Sequence, residues 1–509
     1  MLKGVNPEKK IGIYQILDSA AEKYADKCFL KFVRNGIIEE RSYNQVRMHS
    51  FGICNVLKQY VHSGAHIAII GKTSYEYIIC MTGVILSGCV LVPFSPEISV
   101  RESAELFARA DVDMLICDSD FYPKAEQIKK LYPRLCAVLR TDDDVFESVY
   151  SGESAQVNVE EADPDNPAVM IFTSGTTGIR KCVVLSSKAL VANILTDEVH
   201  YSDSDTALSV LPMFHVFCFS GDYLKNMREG VCVCINGDMR SLGDNLLLFE
   251  PDFMRLVPML AQTLLNRVNA ILRKNPNLSK REAAQKVFGR NLKMIYSGGA
   301  YLEPELARAY DEMGIRIRQG YGMTEAGCRI SVPAPDSPVD SVGQVISICD
   351  IRIQDGEIQV KTPSIMLGYY KMPEETAKIF TSDGWLRTGD IGYVTENRQL
   401  FITGRRKNLI ILSSGENVSP EAIEKKFYAF PIIKEITVYG SGTRLVAEVF
   451  PNREYAAQNS IDDIEGEIKG IMLKLNSTAK PSHIIGQLII RDEPFPKTES
   501  GKIKRKNDF

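Results

Sequence analysis

Through the large N-terminal part of the chain, hydrophobic residues fall into two alternating rhythms. Short apolar runs rich in β-branched residues, at His66–Ile70, Met114–Cys117, Ala168–Phe172 and Val231–Ile235, have the length and bounds of buried strands. Segments of helical period, such as Arg101–Ala110 and Pro304–Met313, separate them. The alternation predicts an α/β fold of packed sheets covered by helices, in which ligands collect beyond the C-terminal ends of strands. From Tyr77 to Pro96 no residue carries a formal charge, which is about the length of a bilayer span. Gly83, Gly88 and Pro93 interrupt that stretch, so it reads as a buried helix, Tyr75 to Leu86, a turn at Ser87-Gly88 and a buried strand, Cys89 to Val92. Beyond a Lys/Arg-rich joint at Arg405, Arg406 and Lys407 the texture changes. The expected division is a large domain over 1–404 and a small α+β domain over 405–509.

Composition narrows the class. At 509 residues the chain exceeds a single core, and 45% hydrophobic with 24% charged residues is ordinary for a soluble globular protein. A net charge of −4 offers no electrostatic case for a nucleic-acid partner. The start, MLKGVNPEKK, is followed by no apolar core of a signal peptide, and no transmembrane segment is expected. The twelve cysteines include no C-x-x-C pair; Cys232 and Cys234 read as one face of a strand. The six histidines make no metal-ligand cluster. Reduced thiols and a cytoplasmic location are the resulting expectation.

The candidate chemistry sits in loops that follow strands. Ile171 to Lys181, IFTSGTTGIRK, closes an apolar segment with the hydroxyls of Thr173, Ser174, Thr176 and Thr177, two glycines, Gly175 and Gly178, and the ammonium of Lys181. Hydroxyl donors, exposed backbone N–H groups and a cation together suit phosphate oxygens. It is not the common P-loop, which would need a Gly-Lys-Ser/Thr end where this chain has Arg180. Leu211 to His215 follows the strand Ala207–Val210 and puts Phe214 and His215 beside it. Ser297-Gly298-Gly299-Ala300 follows the strand Leu292–Tyr296, where glycines let a flat ring lie on the backbone. Gln319 to Glu325 offers Tyr321 for stacking, Gly322, the hydroxyl of Thr324 and a carboxylate, Glu325, able to hold Mg²⁺. Trp385 to Asp390 ends in a carboxylate suited to two vicinal ribose hydroxyls, and Pro496 to Lys502 places lysines on a Gly/Ser/Thr loop.

In this order, the segments resemble the adenylate-forming superfamily of acyl-CoA synthetases, luciferases and peptide-synthetase adenylation domains, over about Tyr14 to Arg505. The resemblance implies a mobile C-terminal domain and a two-step reaction with ATP, Mg²⁺ and coenzyme A. It implies that Thr173 to Gly178 with Lys181 hold the β- and γ-phosphates, Thr324 the α-phosphate and Glu325 the Mg²⁺. Gly298, Gly299, Ala300 and Tyr321, with Gly322 beside it, would surround adenine, and Asp390 and Arg405 the ribose. Lys407 would be the hinge, Lys502 the bridge between substrate carboxylate and α-phosphate, and His215 the gate of the acyl pocket. Ser413 to Pro420, with Gly415, would line the pantetheine tunnel. Arg180, Tyr301 and Ser414 depart from the family pattern without removing a required functional group.

Amino-acid-activating members of that superfamily place an aspartate where this chain has His215, because a buried ammonium needs a partner. The residues that follow, Val216, Phe217, Cys218 and Phe219, are apolar, and Leu256 to Leu260 with the helix behind it resembles fatty-acid synthetases. The expected substrate is a medium- or long-chain fatty acid or another apolar carboxylate. Three alternatives stand beside coenzyme A ligation: loading of an acyl carrier protein through the same thiol, a luciferase-like oxidase, and a non-catalytic nucleotide-binding protein. The presence of Glu325, Asp390 and Lys502 argues against the last.

Overall fold

The computed structural model describes residues 11–150, 161–173, 180–199, 201–411, 417–441, 444–497, 503 and 505. Two seven-stranded sheets form the large N-terminal part. One has the strand order Arg316–Gln319, Met294–Ser297, Phe253–Leu256, Thr206–Ser209, Cys232–Ile235, Cys28–Arg34 and Ile37–Ser42, parallel except for the last pair. The other runs Gly368–Tyr369, Lys181–Ser186, Pro167–Thr173, Val90–Phe94, His66–Ile70, Met114–Cys117 and Ala137–Arg140. A four-stranded sheet, closed by Leu386–Val394 and Leu400–Arg405, follows.

The two large sheets share one core. Phe29, Val233 and Ile235 from the first and Ile67, Leu91, Val169 and Val183 from the second pack on the helices Ile13–Tyr24, Tyr43–Leu57 and Tyr75–Leu86 between them. The outer face of the first sheet is covered by Leu242–Phe249, Pro258–Lys274, Lys280–Phe288 and Pro304–Asp311, and that of the second by Val100–Ala110 and Tyr122–Leu131. The layering is therefore helix, sheet, helix, sheet, helix, and strands buried on both faces account for the continuous apolar runs. The C-terminal part has its own core, in which Ile423, Phe427, Ile436, Val449 and Ile468 join the helices Pro420–Tyr428 and Ile464–Ser477 to a three-stranded sheet.

The uncharged stretch folds as its pattern indicates. Ser74 caps the helix Tyr75–Leu86 by accepting from the N–H of Tyr77, Ser87 closes it, Gly88 turns at φ +75°, and Val90–Phe94 continues as a strand. Eleven of the helix residues are buried, as expected for a helix apolar all round. Among the described residues no helix is long and apolar enough to cross a membrane.

The helices Tyr43–Leu57 and Tyr75–Leu86 meet at Gly83, where a Cβ would stand 2.5 Å from Ile53 Cγ2 and 3.1 Å from the Ser50 carbonyl oxygen. Alanine gains about 1 kcal/mol of helix propensity over glycine, but overpacking costs about 1–3 kcal/mol. Gly83→Ala is expected to lower the thermal midpoint and the urea midpoint of the purified protein. A rise in either would contradict the close approach.

Candidate active site

Four of the chemistry-bearing segments meet at one end of the first sheet. Thr206–Ser209, Phe253–Leu256, Met294–Ser297 and Arg316–Gln319 are parallel neighbours, so the loops after them emerge side by side. The Gly298 N–H donates to the Leu256 carbonyl (3.1 Å) and the Gly320 N–H to the Ser297 carbonyl (2.9 Å), which carries the sheet one step into the loops. The Leu302 N–H donates to Gln319 Oε1 at 2.8 Å, holding the turn that contains Ala300. Gly299 sits at φ +77°, and a Cβ on Gly298 would stand 2.9 Å from Phe217 Cζ. Gly299 needs glycine for its backbone angle, and at Gly298 a side chain would have to displace the Phe217 ring.

The next loop provides two anchored functional groups. Tyr321–Met323 pairs with Cys328–Val332, and a Cβ on Gly322 would fall 1.7 Å from the Cys328 carbonyl oxygen, so this close ladder admits only glycine. Thr324–Ala326 then forms one 3₁₀ turn. Glu325 Oε1 accepts from the Tyr369 hydroxyl at 2.8 Å, and the Glu325 carbonyl accepts from the Met366 N–H at 2.9 Å. Lys181 Nζ lies 4.9 Å from the centre of the Tyr369 ring and 2.7 Å from Glu375 Oε2. The Lys181 ammonium, with Lys378, holds the Glu375 carboxyl down at about 2. The Thr173 hydroxyl donates to the Lys181 carbonyl at 3.3 Å. Tyr369 thus joins Lys181, on the strand after the hydroxyl-rich loop, to Glu325. Ser174, Gly175, Thr176, Thr177 and Gly178 lie outside the described residues.

A third anchor is Asp390. It pairs across the ladder with Arg405, whose Nε lies 2.8 Å from Asp390 Oδ1, and the Tyr321 hydroxyl donates to Asp390 Oδ2 at 2.6 Å. Burial, and then the adjacent Asp390 charge, raise the Tyr321 phenol well above its ordinary range, so it stays a donor. A carboxylate offers about four lone-pair sites, and these two contacts leave two for a diol. Arg406 turns the other way, to Glu357 Oε2 at 2.6 Å, while Glu357 Oε1 accepts from the Gly389 N–H at 3.1 Å. Lys407 lies in the short 3₁₀ turn Arg406–Asn408 that follows.

His215 is exposed, with its ring 4.5 Å from that of Phe214, and it precedes the short helix Val216–Cys218 that runs into a π-helix, Phe219–Lys225. Gly415 and Lys502 lie outside the described residues, as do Ser413 and Ser414. The flanks of Lys502 are tied to the C-terminal core: Lys497 Nζ meets Glu435 Oε1 at 2.7 Å, and Arg505 donates to both oxygens of Glu424 at 2.8 and 2.6 Å. Contacts among the described residues between the C-terminal part and the rest include Ser419 Oγ to the Thr403 carbonyl (2.8 Å) and Lys425 Nζ over the Tyr301 ring (5.4 Å).

Sequence reasoning missed Tyr369, Glu375 and Glu357. Each acts through a partner 44 or more positions away (Glu325, Lys181 and Arg406), and neither the Gly-Tyr-Tyr run at 368–370 nor a glutamate opening an alternating strand carries a signal of its own. Among the described residues no three His, Cys, Asp or Glu side chains could hold a metal. A single carboxylate, Glu325, fits a Mg²⁺ that keeps most of its ligands as phosphate and water oxygens.

The residue range 17–370 matches the family profile described as AMP-binding enzyme, and 407–508 that of the AMP-binding enzyme C-terminal domain. Rice (Oryza sativa subsp. japonica) 4-coumarate–CoA ligase 2 is 27% identical, over 88% of this chain and 83% of its own. Rat (Rattus norvegicus) long-chain-fatty-acid–CoA ligase 5 is 28% identical, over 81% of this chain and 71% of its own. The crystal structure of ATP-bound MatB from Rhodopseudomonas palustris superposes with a TM-score of 0.80 at 22% identity, covering 97% of each chain, which shows a common fold.

Removing the Asp390 carboxylate takes the acceptor from the Tyr321 hydroxyl and the ion-pair partner from the half-exposed Arg405. Asp390→Ala is expected to destabilise the protein by about 1–3 kcal/mol, read as a fall in thermal midpoint, and Asp390→Asn, which keeps an acceptor, by less than half of that. Equal effects would show that the acceptor is not what matters.

Proposed function

Since the chain belongs to the AMP-binding enzyme family, we propose that it is an AMP-forming acid–thiol ligase that converts an apolar carboxylic acid to its coenzyme A thioester at the expense of ATP. The observation that carries this reading is the pair of anchors at the loop end of the first sheet: Lys181, Tyr369 and Glu325 on one side, Asp390, Arg405 and Tyr321 on the other. The first set suits the phosphates and the second the ribose of one nucleotide, with Gly298, Gly299 and Ala300 as the flat surface for adenine. The names of the rice and rat relatives, ligases of coenzyme A with an aromatic and a long-chain acid, support the reaction and leave the acid open.

In the first step a carboxylate oxygen attacks the α-phosphorus, the bond to the β-phosphate breaks, and pyrophosphate leaves with the electron pair. Two anions approach, so charge neutralisation dominates the barrier. A Mg²⁺ ion at Glu325 would supply part of it. Lys181 and the hydroxyls of Thr173 to Thr177 hold the leaving group, Thr324 the α-phosphate, and Lys502 bridges both reacting anions. In the second step a thiol sulfur attacks the acyl carbon, AMP leaves, and the thiol proton goes to solvent. The acyl-adenylate is a reactive anhydride, and a C-terminal domain turning about Lys407 exchanges the lysine loop for a thiol channel along Ser413 to Pro420, with Gly415, without admitting water. We place the joint at residue 405, where the strand Leu400–Arg405 completes the four-stranded sheet. His215 gates the acyl pocket, and at position 215 the chain carries an imidazole where amino-acid-activating relatives carry an aspartate.

The deciding experiment is pyrophosphate release screened over fatty, aromatic and amino acids, followed by thioester formation with coenzyme A and with an acyl carrier protein, and by oxygen uptake. Apolar acids and coenzyme A are expected to respond; preference for an α-amino acid, or acid-dependent oxygen uptake, would overturn the reading. Lys502→Ala removes a contact that strengthens as charge develops, and adenylation should slow by at least about 10²-fold. Thioester formation from supplied acyl-adenylate should change little, and the control Lys504→Ala should leave both rates near wild type. Lys407→Pro fixes φ near −65°. It should spare adenylation and depress thioester formation, whereas equal loss of both would contradict the hinge.

A further inference from the structure

The helical segment that follows His215 runs onto a buried ion pair. Phe217 lies against Gly298 at the strand end. Four residues further on, roughly 6 Å along the helical axis, Gly221 lies against a guanidinium: a Cβ there would stand 2.7 Å from Arg255 Nε. Arg255 is 4% exposed and Asp222 is fully buried, and Arg255 Nη1 donates to Asp222 Oδ1 at 2.6 Å. Nη2 donates to the Tyr201 hydroxyl at 2.8 Å, and Asp222 Oδ2 accepts from the Ser209 hydroxyl at 3.4 Å. The rings of Tyr201, Phe253 and Tyr296 surround the guanidinium at 5.5–5.7 Å, with Tyr201 stacked on Phe253 at 4.4 Å.

An arginine in the middle of a buried strand, Phe253–Leu256, is costly unless paired, and this one is paired internally. Its contacts are satisfied by Asp222 and Tyr201, so the assembly behaves as a filled plug and not as a receptor for a distal polar group. Gly221 is the element that lets the π-helix come down on it. Resting on the ligase reading above, we infer that the Arg255–Asp222 pair is the specificity-determining end wall of the acyl pocket. It limits the substrate to a carboxylic acid with a short or compact apolar tail.

Each methylene that finds an apolar environment is worth about a fourfold gain in affinity, and methylenes beyond the wall forfeit it. The test is the ratio of kcat/KM for dodecanoic acid to that for hexanoic acid in coenzyme A-dependent pyrophosphate release, measured on the full chain. Wild type is expected to show a dodecanoic-to-hexanoic ratio near or below one, where six further methylenes in an apolar channel would raise it by about 10³-fold. The double variant Arg255→Leu/Asp222→Leu replaces the ion pair by apolar side chains, an exchange that is commonly neutral or stabilising. It is expected to raise the ratio by at least about tenfold, while Arg255→Lys, which keeps the pair charged, should leave it near wild type. A wild-type preference for dodecanoic acid overturns the end wall even if the double variant fails to fold, and so does a folded double variant with an unchanged ratio. Absence of pyrophosphate release with every acid tried overturns the ligase reading itself, and the inference with it.

Discussion

One buried carboxylate, Asp390, holds the two halves of the candidate site in relation to each other. Its oxygens receive Tyr321, from the loop after the first large sheet, and Arg405, from the last strand of the four-stranded sheet. A carboxylate that is 4% exposed is stable only while its donors remain. That requirement is mutual, since the Tyr321 hydroxyl would otherwise be a buried donor without a partner. The loop end of one sheet and the edge of another are therefore fixed chiefly by the Tyr321 hydrogen bond, since the Arg405 side chain is half exposed and its ion pair is partly screened. Everything proposed for the nucleotide depends on that registration.

The proposed phosphate side is built on a different principle. Lys181 faces an aromatic ring and a surface carboxylate, Glu375, and is mostly covered rather than sealed. An ammonium over a phenol ring is attracted but not neutralised by it; its charge is met instead by Glu375, a surface ion pair that an anionic ligand can exchange with. Tyr369 spends its hydroxyl on Glu325, which orients that carboxylate without removing its charge. Tight pairing at the proposed sugar end and an exchangeable ion pair at the proposed phosphate end suit a ligand whose charge is concentrated at one extremity.

The layers were legible in the sequence because strands buried on both faces must be continuously apolar; His66–Ile70, Met114–Cys117 and the helix Tyr75–Leu86 appear with the expected bounds. Where glycine and proline compete with an apolar run, the edges moved: the strand expected at Cys89–Val92 is Val90–Phe94 and continues through Pro93. The site loops were legible because backbone demands select residues, as at Gly298, Gly299 and Gly322. Tyr369, Glu357 and the Arg255–Asp222 pair were not, because their roles exist only after folding brings distant segments together. Arg255 did leave a trace, a lone cation inside an apolar strand.

The C-terminal part carries a core that shares no residue with the cores of the N-terminal layers. Its contacts with the rest include a hydroxyl on a carbonyl, at Ser419, and a lysine over a ring, at Tyr301. Interactions of that kind are worth about 1 kcal/mol each, and water can replace them. Reorienting this unit therefore need not tear apolar surface out of a packed interior. In the proposed rotation, the energy separating the two orientations is then small enough for the occupant of the site, acid and nucleotide or adenylate and thiol, to decide which one prevails.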